Sequence, residues 1–274
     1  MKTALVTGSN SGFGLLIALE LAQLGFHVAA TMRNIENRGE LLLKGEQLGI
    51  SDRIMPLQMD VTNREEIIKA KEEIESAFGK LTCLINNAGY CQGGFFEDLT
   101  AEQWESQFRT NVAGTFAVTK TFLPLLEKSD PGYIINIGSI SGFFGFPGMS
   151  AYCSSKFALE GMSESLRLEL LPKKIYVTMI EPASYQTKIW EKALKEVHID
   201  ESADTYKKQI FAYAKNSAKN GADPAEVAKL VGKIVQTKKP RLRYQIGKNA
   251  KLLAIAKHYL PWRWIEKIVI KKLQ

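Results

Sequence analysis

Apolar positions along the chain follow two alternating rhythms. Short, nearly unbroken apolar runs occupy residues 3–8, 27–32, 53–61, 81–89, 132–139, 175–182 and 243–247. Such runs, too short for helices and bounded by Gly, Asn or Pro, read as strands buried on both faces. Between them the period changes to that of a helix. Residues 14–25 carry apolar positions at helical spacing and stop at Gly25, and residues 63–79 form a charged amphipathic segment. Residues 100–128 read as one long helix or two broken ones, and a further helix begins near residue 150. Strand–helix alternation with continuous apolar strands predicts an α/β fold: a doubly wound parallel sheet with helices on both faces. No internal repeat, low-complexity tract or Pro/Ser-rich linker interrupts residues 1–274, so a single domain is expected.

Two segments within this pattern carry candidate chemistry. The first is T-G-S-N-S-G-F-G, Thr7 to Gly14, between the first strand and the first helix. Gly8, Gly12 and Gly14 permit a tight turn, so that backbone N–H groups around Ser9, Asn10, Ser11 and Phe13 face a pyrophosphate at the helix N-terminus. A dinucleotide site is the functional reading, and a βα turn with glycines for packing is the plain one. The end of the second strand discriminates between dinucleotides. It reads A-T-M-R-N, with Arg33 nineteen residues after Gly14 and no carboxylate. A guanidinium there suits a ribose 2′-phosphate, which favours NADP(H) over NAD(H). The second segment is S-A-Y-C-S-S-K, in which Tyr152 and Lys156 stand four apart on one helix face. An ammonium beside a phenol favours the phenolate and lowers its pKa. A solvated surface pair satisfies the same spacing.

Composition adds limits. Apolar residues make up 45% and charged residues 24%, enough for a sizeable core. The net charge of +7 is concentrated near the C-terminal end, and no zinc-finger spacing or RNA-binding signature accompanies it, so nucleic acid is not an expected partner. The cysteines Cys83, Cys91 and Cys153 have irregular spacing, which fits neither a disulfide framework nor a metal site. A strand pattern already begins at residue 3 and no run of eighteen apolar residues occurs, so a cytoplasmic protein is expected.

Taken jointly, Thr7-Gly8-x-x-x-Gly12-x-Gly14, the N-N-A-G run from Asn86 to Gly89, Asn111, Ser139 and Tyr152-x-x-x-Lys156 resemble the short-chain dehydrogenase/reductases in order and spacing, with Ser139 thirteen residues before Tyr152. The resemblance covers residues 1 to about 190 and implies a Rossmann-type fold. It implies that Tyr152 is the proton donor to a carbonyl, or acceptor from an alcohol, with Lys156 lowering its pKa and holding the nicotinamide ribose. Ser139 is then the clamp on the substrate oxygen and Asn111 the anchor of a water chain. Asp60 and Val61 resemble the adenine-side contacts, and Asn87, Ala88 and Gly89 the backbone lining of the cofactor. Pro182 and Thr187 match the contacts after the sixth strand, but Ala183 replaces the usual glycine, which puts the path of that loop in question. Each residue also has a plainer role. Ser139 caps a turn, Asn111 bonds backbone inside a helix, Asp60 caps the next helix, and Arg33 is a solvated loop cation.

The resemblance is closest to the hydroxysteroid and retinol dehydrogenase branch. Phe95, Phe96, Phe143, Phe144, Phe146 and Met149 supply an apolar inventory, so the expected substrate is a small apolar carbonyl or alcohol, unless these rings only pack on the domain. Residues 188–231 read as a substrate lid or a static helix pair. Residues 249–274 form a basic amphipathic tail that either lies on an anionic membrane or packs on a protein surface. A homodimer or homotetramer is expected by analogy, through the helices near 100–127 and 151–171. The rival to an oxidoreductase is a non-catalytic NADP-sensing protein on the same fold.

Overall fold

The computed structural model describes residues 1–196 and 205–273. Among the described residues seven strands are present: β1 (Lys2–Thr7), β2 (Phe26–Met32), β3 (Ile54–Gln58), β4 (Cys83–Asn86), β5 (Gly132–Ile137), β6 (Ile175–Pro182) and β7 (Arg243–Ile246). They form one sheet in the order β3-β2-β1-β4-β5-β6-β7, and every pairing is parallel. All seven coincide with the apolar runs, although β3 and β4 are shorter than those runs. Pro56 is tolerated within β3 because that strand is at the edge of the sheet.

Both faces of the sheet are buried, and the alternation of side chains shows it. Ala4 and Val6 of β1, Val28 and Ala30 of β2, and Ile135 and Ile137 of β5 enter one apolar core, while Leu5, Ala29 and Ile134 enter the other. The first core is covered by α1 (Gly12–Gln23), α2 (Gly39–Gln47) and α9 (Ala225–Val235). The second is covered by α3 (Arg64–Phe78), α5 (Thr115–Leu126) and the C-terminal half of α6 (Ser150–Leu170). The boundaries of α3 follow from its ends. The Asn63 side chain accepts from the backbone N–H groups of Glu65 and Glu66, and Gly79 takes a left-handed conformation with φ of 72°.

The stretch read as one long helix or two broken ones is broken. A capping box between Thr100 and Gln103 starts α4 (Ala101–Phe108), one wide π-type turn spans Arg109–Gly114, and α5 follows. Asn111 lies in that turn. The segment 188–231 divides between α7 (Lys188–Glu196), α8 (Thr205–Lys219) and most of α9, with 197–204 outside the described residues. Val227, Val231 and Ile234 repeat at helical spacing and are buried against α1, so α9 belongs to the core rather than to a lid. The basic tail forms α10 (Ala250–Tyr259) and α11 (Trp262–Leu273), separated at Pro261. Among the described residues no helix is long and apolar enough to cross a membrane.

Phe122 of α5 is fully buried in the second core. Phe122→Ala is expected to lower the unfolding free energy by about 3–5 kcal/mol in urea denaturation.

Candidate active site

The strand order reverses between β1 and β4, and the loops after those strands flank the crevice where ligands bind in open parallel sheets. The loop after β1 is held in shape by side chains from β1 and from the loop after β4. The Thr7 hydroxyl accepts from the backbone N–H groups of Asn87 (3.0 Å) and Ala88 (2.9 Å). The Asn87 amide donates to the carbonyls of Thr7 (2.8 Å) and Gly8 (3.1 Å). Gly8 has φ of 68°, and a Cβ on Gly14 would lie 2.2 Å from the Gly8 carbonyl oxygen, so neither position admits a larger residue without movement. Ser11 precedes α1 with no side-chain capping bond, which leaves the N-terminus of that helix open to a ligand anion. The residues therefore fit a pyrophosphate. Arg33 is exposed immediately after β2, with no ion pair among the described residues.

On the far side of this loop, a Cβ on Gly12 would touch the Thr187 side chain at 3.7 Å, so the phosphate loop faces the loop after β6. That second loop has an anchor that the sequence reading did not identify. Tyr185 is buried. Its hydroxyl donates to Glu226 of α9 (3.1 Å) and its ring meets Phe13 edge-on, with centroids 5.4 Å apart. The path left in question at Ala183 is thereby defined: its N–H donates to the Ile246 carbonyl of β7 (2.9 Å), and Gln186 donates to Ala222 (3.1 Å).

The remaining predicted residues converge at the start of α6. Ser139 starts the short turn after β5, where its hydroxyl accepts from the Ser141 N–H (3.1 Å), and it lies beside the Tyr152 phenol. The Lys156 ammonium donates to the Ile137 carbonyl (2.7 Å) and sits 5.7 Å from the centre of the Tyr152 ring. Asn111 is buried. Its amide donates to the Tyr90 carbonyl (3.0 Å) and to the Ser155 hydroxyl (3.2 Å), and its oxygen accepts from the Tyr90 N–H (3.1 Å). The wide turn in the α4–α5 segment thus joins the loop after β4 to α6. Cys91, Met149, Ile189 and Ala193 pack around Tyr152, so α7 covers it. Helix α8 reaches the loop after β4 through Lys207, which pairs with Glu97 and Asp98.

Asp60 and Val61 lie after β3. The Asp60 carboxylate accepts from the N–H and hydroxyl of Thr62 (both 2.8 Å), while Asn63 rather than Asp60 caps α3. Val61 is buried against Gly114. Of the pocket phenylalanines, Phe144 is buried and Phe96 is exposed against Trp104, while Met149 alone of that inventory joins the cluster at Tyr152.

The electrostatics differ from the simple expectation for a Tyr–Lys pair. Burial pushes the Tyr152 phenol up, with Cys91 adding to it and only the neighbouring Ser139 hydroxyl pulling down. The Lys156 ammonium bonds the Ile137 carbonyl rather than the phenol. Burial brings Lys156 down to about 8. One turn further along α6 is a group of charges absent from the sequence reading. Arg243 of β7 meets Glu160 (3.0 Å) and Glu181 (3.3 Å), and Gln245 donates to Glu181 (2.5 Å). Burial together with the neighbouring Glu160 pushes Glu181 up to about 8. A lone carboxylate in the otherwise apolar run 175–182 was the available signal.

Sheet order, phosphate turn and the Ser139–Tyr152–Lys156 arrangement define a dinucleotide-dependent oxidoreductase on a Rossmann-type fold. The short chain dehydrogenase family model matches residues 2–198, and the chain belongs to that family. It is 44% identical over 277 residues to an uncharacterized oxidoreductase, YusZ, of Bacillus subtilis, covering 99% of this chain and 98% of that one. It is 33% identical over 250 residues to human 17-beta-hydroxysteroid dehydrogenase type 1, covering 88% and 76%. A short-chain dehydrogenase from Streptomyces avermitilis superposes with a TM-score of 0.82 at 29% identity, over 97% of each chain. The chain is thus an NAD(P)-dependent oxidoreductase near the hydroxysteroid and retinol dehydrogenase branch.

An unfolded Glu181 titrates near 4.5, its ordinary value, and the folded one at about 8. Between those values the native state holds the extra proton, so stability falls as pH rises through this window. Glu181→Gln removes that titration. Its melting temperature is expected to decline less than the parent's between about pH 5 and pH 8.

Proposed function

We propose that this protein interconverts an apolar ketone or aldehyde and its alcohol with NADP(H). The observation that carries the reading is a pair of hydroxyl residues, Ser139 and Tyr152, brought together under the apolar cover of α7, with the Lys156 ammonium behind the ring. A bound nicotinamide supplies or accepts the hydride at the carbonyl carbon. In reduction, the Tyr152 hydroxyl gives its proton to the substrate oxygen while Ser139 donates a second hydrogen bond to it. Burial keeps that phenol protonated at neutral pH, which suits a proton donor. Lys156, at about 8, is mostly an ammonium there and stabilises the phenolate left behind. Oxidation runs the same proton transfer backwards. Asn111 holds the loop after β4 against α6 and marks the route by which solvent restores the proton.

Support for NADP(H) comes from Arg33, an exposed guanidinium at the end of a strand with no carboxylate. Asp60 and Val61 then bound the adenine side, Asn87, Ala88 and Gly89 line the middle of the cofactor, and Pro182 and Thr187 its nicotinamide end. An apolar substrate is supported by the packing of Met149, Ile189 and Ala193 around Tyr152, and by the similarity to a hydroxysteroid dehydrogenase. Exposed Phe116 on α5, and Phe157 and Leu168 on α6, favour a dimer or tetramer through those helices.

Turnover is read from NADPH absorbance with carbonyls running from glyceraldehyde to retinal and a 3-ketosteroid. Activity confined to the bulky apolar members is expected. Tyr152→Phe should lower kcat by about 10²–10⁴-fold while leaving the Kd for NADPH nearly unchanged. Tight NADPH binding without turnover of any carbonyl would instead support a nucleotide sensor. Arg33→Ala should weaken NADPH binding by about tenfold and leave NADH unaffected, since only the 2′-phosphate is lost as a partner.

A further inference from the structure

Helices α10 and α11 carry an unusual combination of exposed groups. On α10, Leu252, Ile255 and Tyr259 recur at i, i+3 and i+7 and share one face, with Leu252 64% and Tyr259 75% exposed. On α11, Trp264 and Ile268 share a face at i and i+4, with Trp264 63% exposed, while Ile265 turns inward and is buried. Lys251 flanks the first face, and Arg263, Lys267 and Lys271 the second. Residues 248–272 hold seven Lys and Arg against the single carboxylate of Glu266, so six of the chain's seven net positive charges lie there.

Two exposed apolar faces edged by cations and bearing an exposed tryptophan fit the boundary between lipid headgroups and acyl chains. The charge selects among occupants. A second copy of this chain would bring six net positive charges against six more, whereas an anionic lipid surface neutralises them. Neither helix can span a bilayer, so the contact is peripheral.

The location matters as well. Trp262 packs on Phe144 with ring centroids 6.2 Å apart, and the Lys257 ammonium lies 4.3 Å from the Trp262 ring centre and 6.0 Å from that of Phe144. Phe144 packs on Phe146 at 5.1 Å, and the Phe146 N–H donates to the sulfur of Cys153, the neighbour of Tyr152. Helix α11 also packs on α8, which reaches the loop after β4. The tail is therefore fastened to the loop that leads into the Tyr152 helix.

We propose that α10 and α11 form a docking surface for an anionic phospholipid bilayer, with Leu252, Ile255, Tyr259, Trp264 and Ile268 entering the interface and the flanking Lys and Arg side chains meeting lipid phosphates. Docking sets the Phe144 loop beside the lipid phase, in which apolar carbonyls dissolve. That consequence rests on the substrate reading above, whereas the binding does not.

The full-length protein is floated with vesicles of phosphatidylcholine, with and without about one-third phosphatidylglycerol. Recovery with the anionic vesicles should be at least about tenfold above the neutral ones and should fall steeply with added salt. The combined variant Leu252→Ser, Ile255→Ser, Trp264→Ser, Ile268→Ser should lose flotation while keeping the parent's melting temperature and its NADPH affinity. Arg263→Glu with Lys267→Glu, which keeps every apolar group, should also lose it. Equal recovery with both vesicle types overturns the proposal, as does flotation of the serine variant. So does a parent that fails to float but shifts, on serine substitution, from oligomer to monomer in sedimentation velocity, since the surface then binds a second copy. Absence of turnover in the carbonyl panel leaves the flotation result standing.

Discussion

The site depends on one junction, where Thr7 and Asn87 tie the ends of β1 and β4 together. A hydroxyl that accepts two backbone N–H groups and an amide that donates to two backbone carbonyls lock the turn after β1. Both strand ends lie where the sheet order reverses, and a parallel sheet must open a crevice there, because its connections leave to opposite faces. The glycines permit the turn, but the side-chain bonds hold its shape. From that fixed point Phe13 reaches Tyr185, which orders the loop after β6, and Gly89 packs on Asn111, which orders the wide turn before α5.

Burial governs the protonation states of the site more strongly than the Tyr–Lys pairing does. Tyr152, Lys156, Glu160 and Glu181 are all withdrawn from water, and in each the neutral form is favoured. For Tyr152 this keeps the phenol protonated. For Lys156 it gives a cation that neutralises easily unless a negative charge forms nearby, which is the condition that a phenolate creates. The two glutamic acids are drawn together by the Arg243 guanidinium that both meet. They join α6, β6 and β7 behind the reacting groups.

The C-terminal helices extend the same logic to the surface. An exposed tryptophan costs free energy in water, and a dense cluster of cations costs more still when brought against its own copy. A surface that carries both is matched by one that is apolar inside and negative outside.

Much of the protein was legible from the residues alone. Strand positions followed from apolar runs, because a strand buried on both faces tolerates no polar alternation, and the phosphate turn followed from glycines placed between a strand and a helix. Tyr152 and Lys156 stood out by their spacing on one helix face, and Ser139 and Asn111 by the resemblance to the short-chain dehydrogenase/reductases. What spacing did not carry was partnership. That Lys156 bonds a carbonyl and not the phenol, that Asn111 sits in a π-type turn facing Tyr90, that Tyr185 anchors on Glu226, and that Glu160 meets Glu181 all depend on residues tens of positions apart. The one-dimensional pattern determined which segments become strands and helices, because local period and turn chemistry are written residue by residue. Only the tertiary structure decided which side chains lose water and to whom they bond, because desolvation and hydrogen bonding are set by the neighbours that packing brings together.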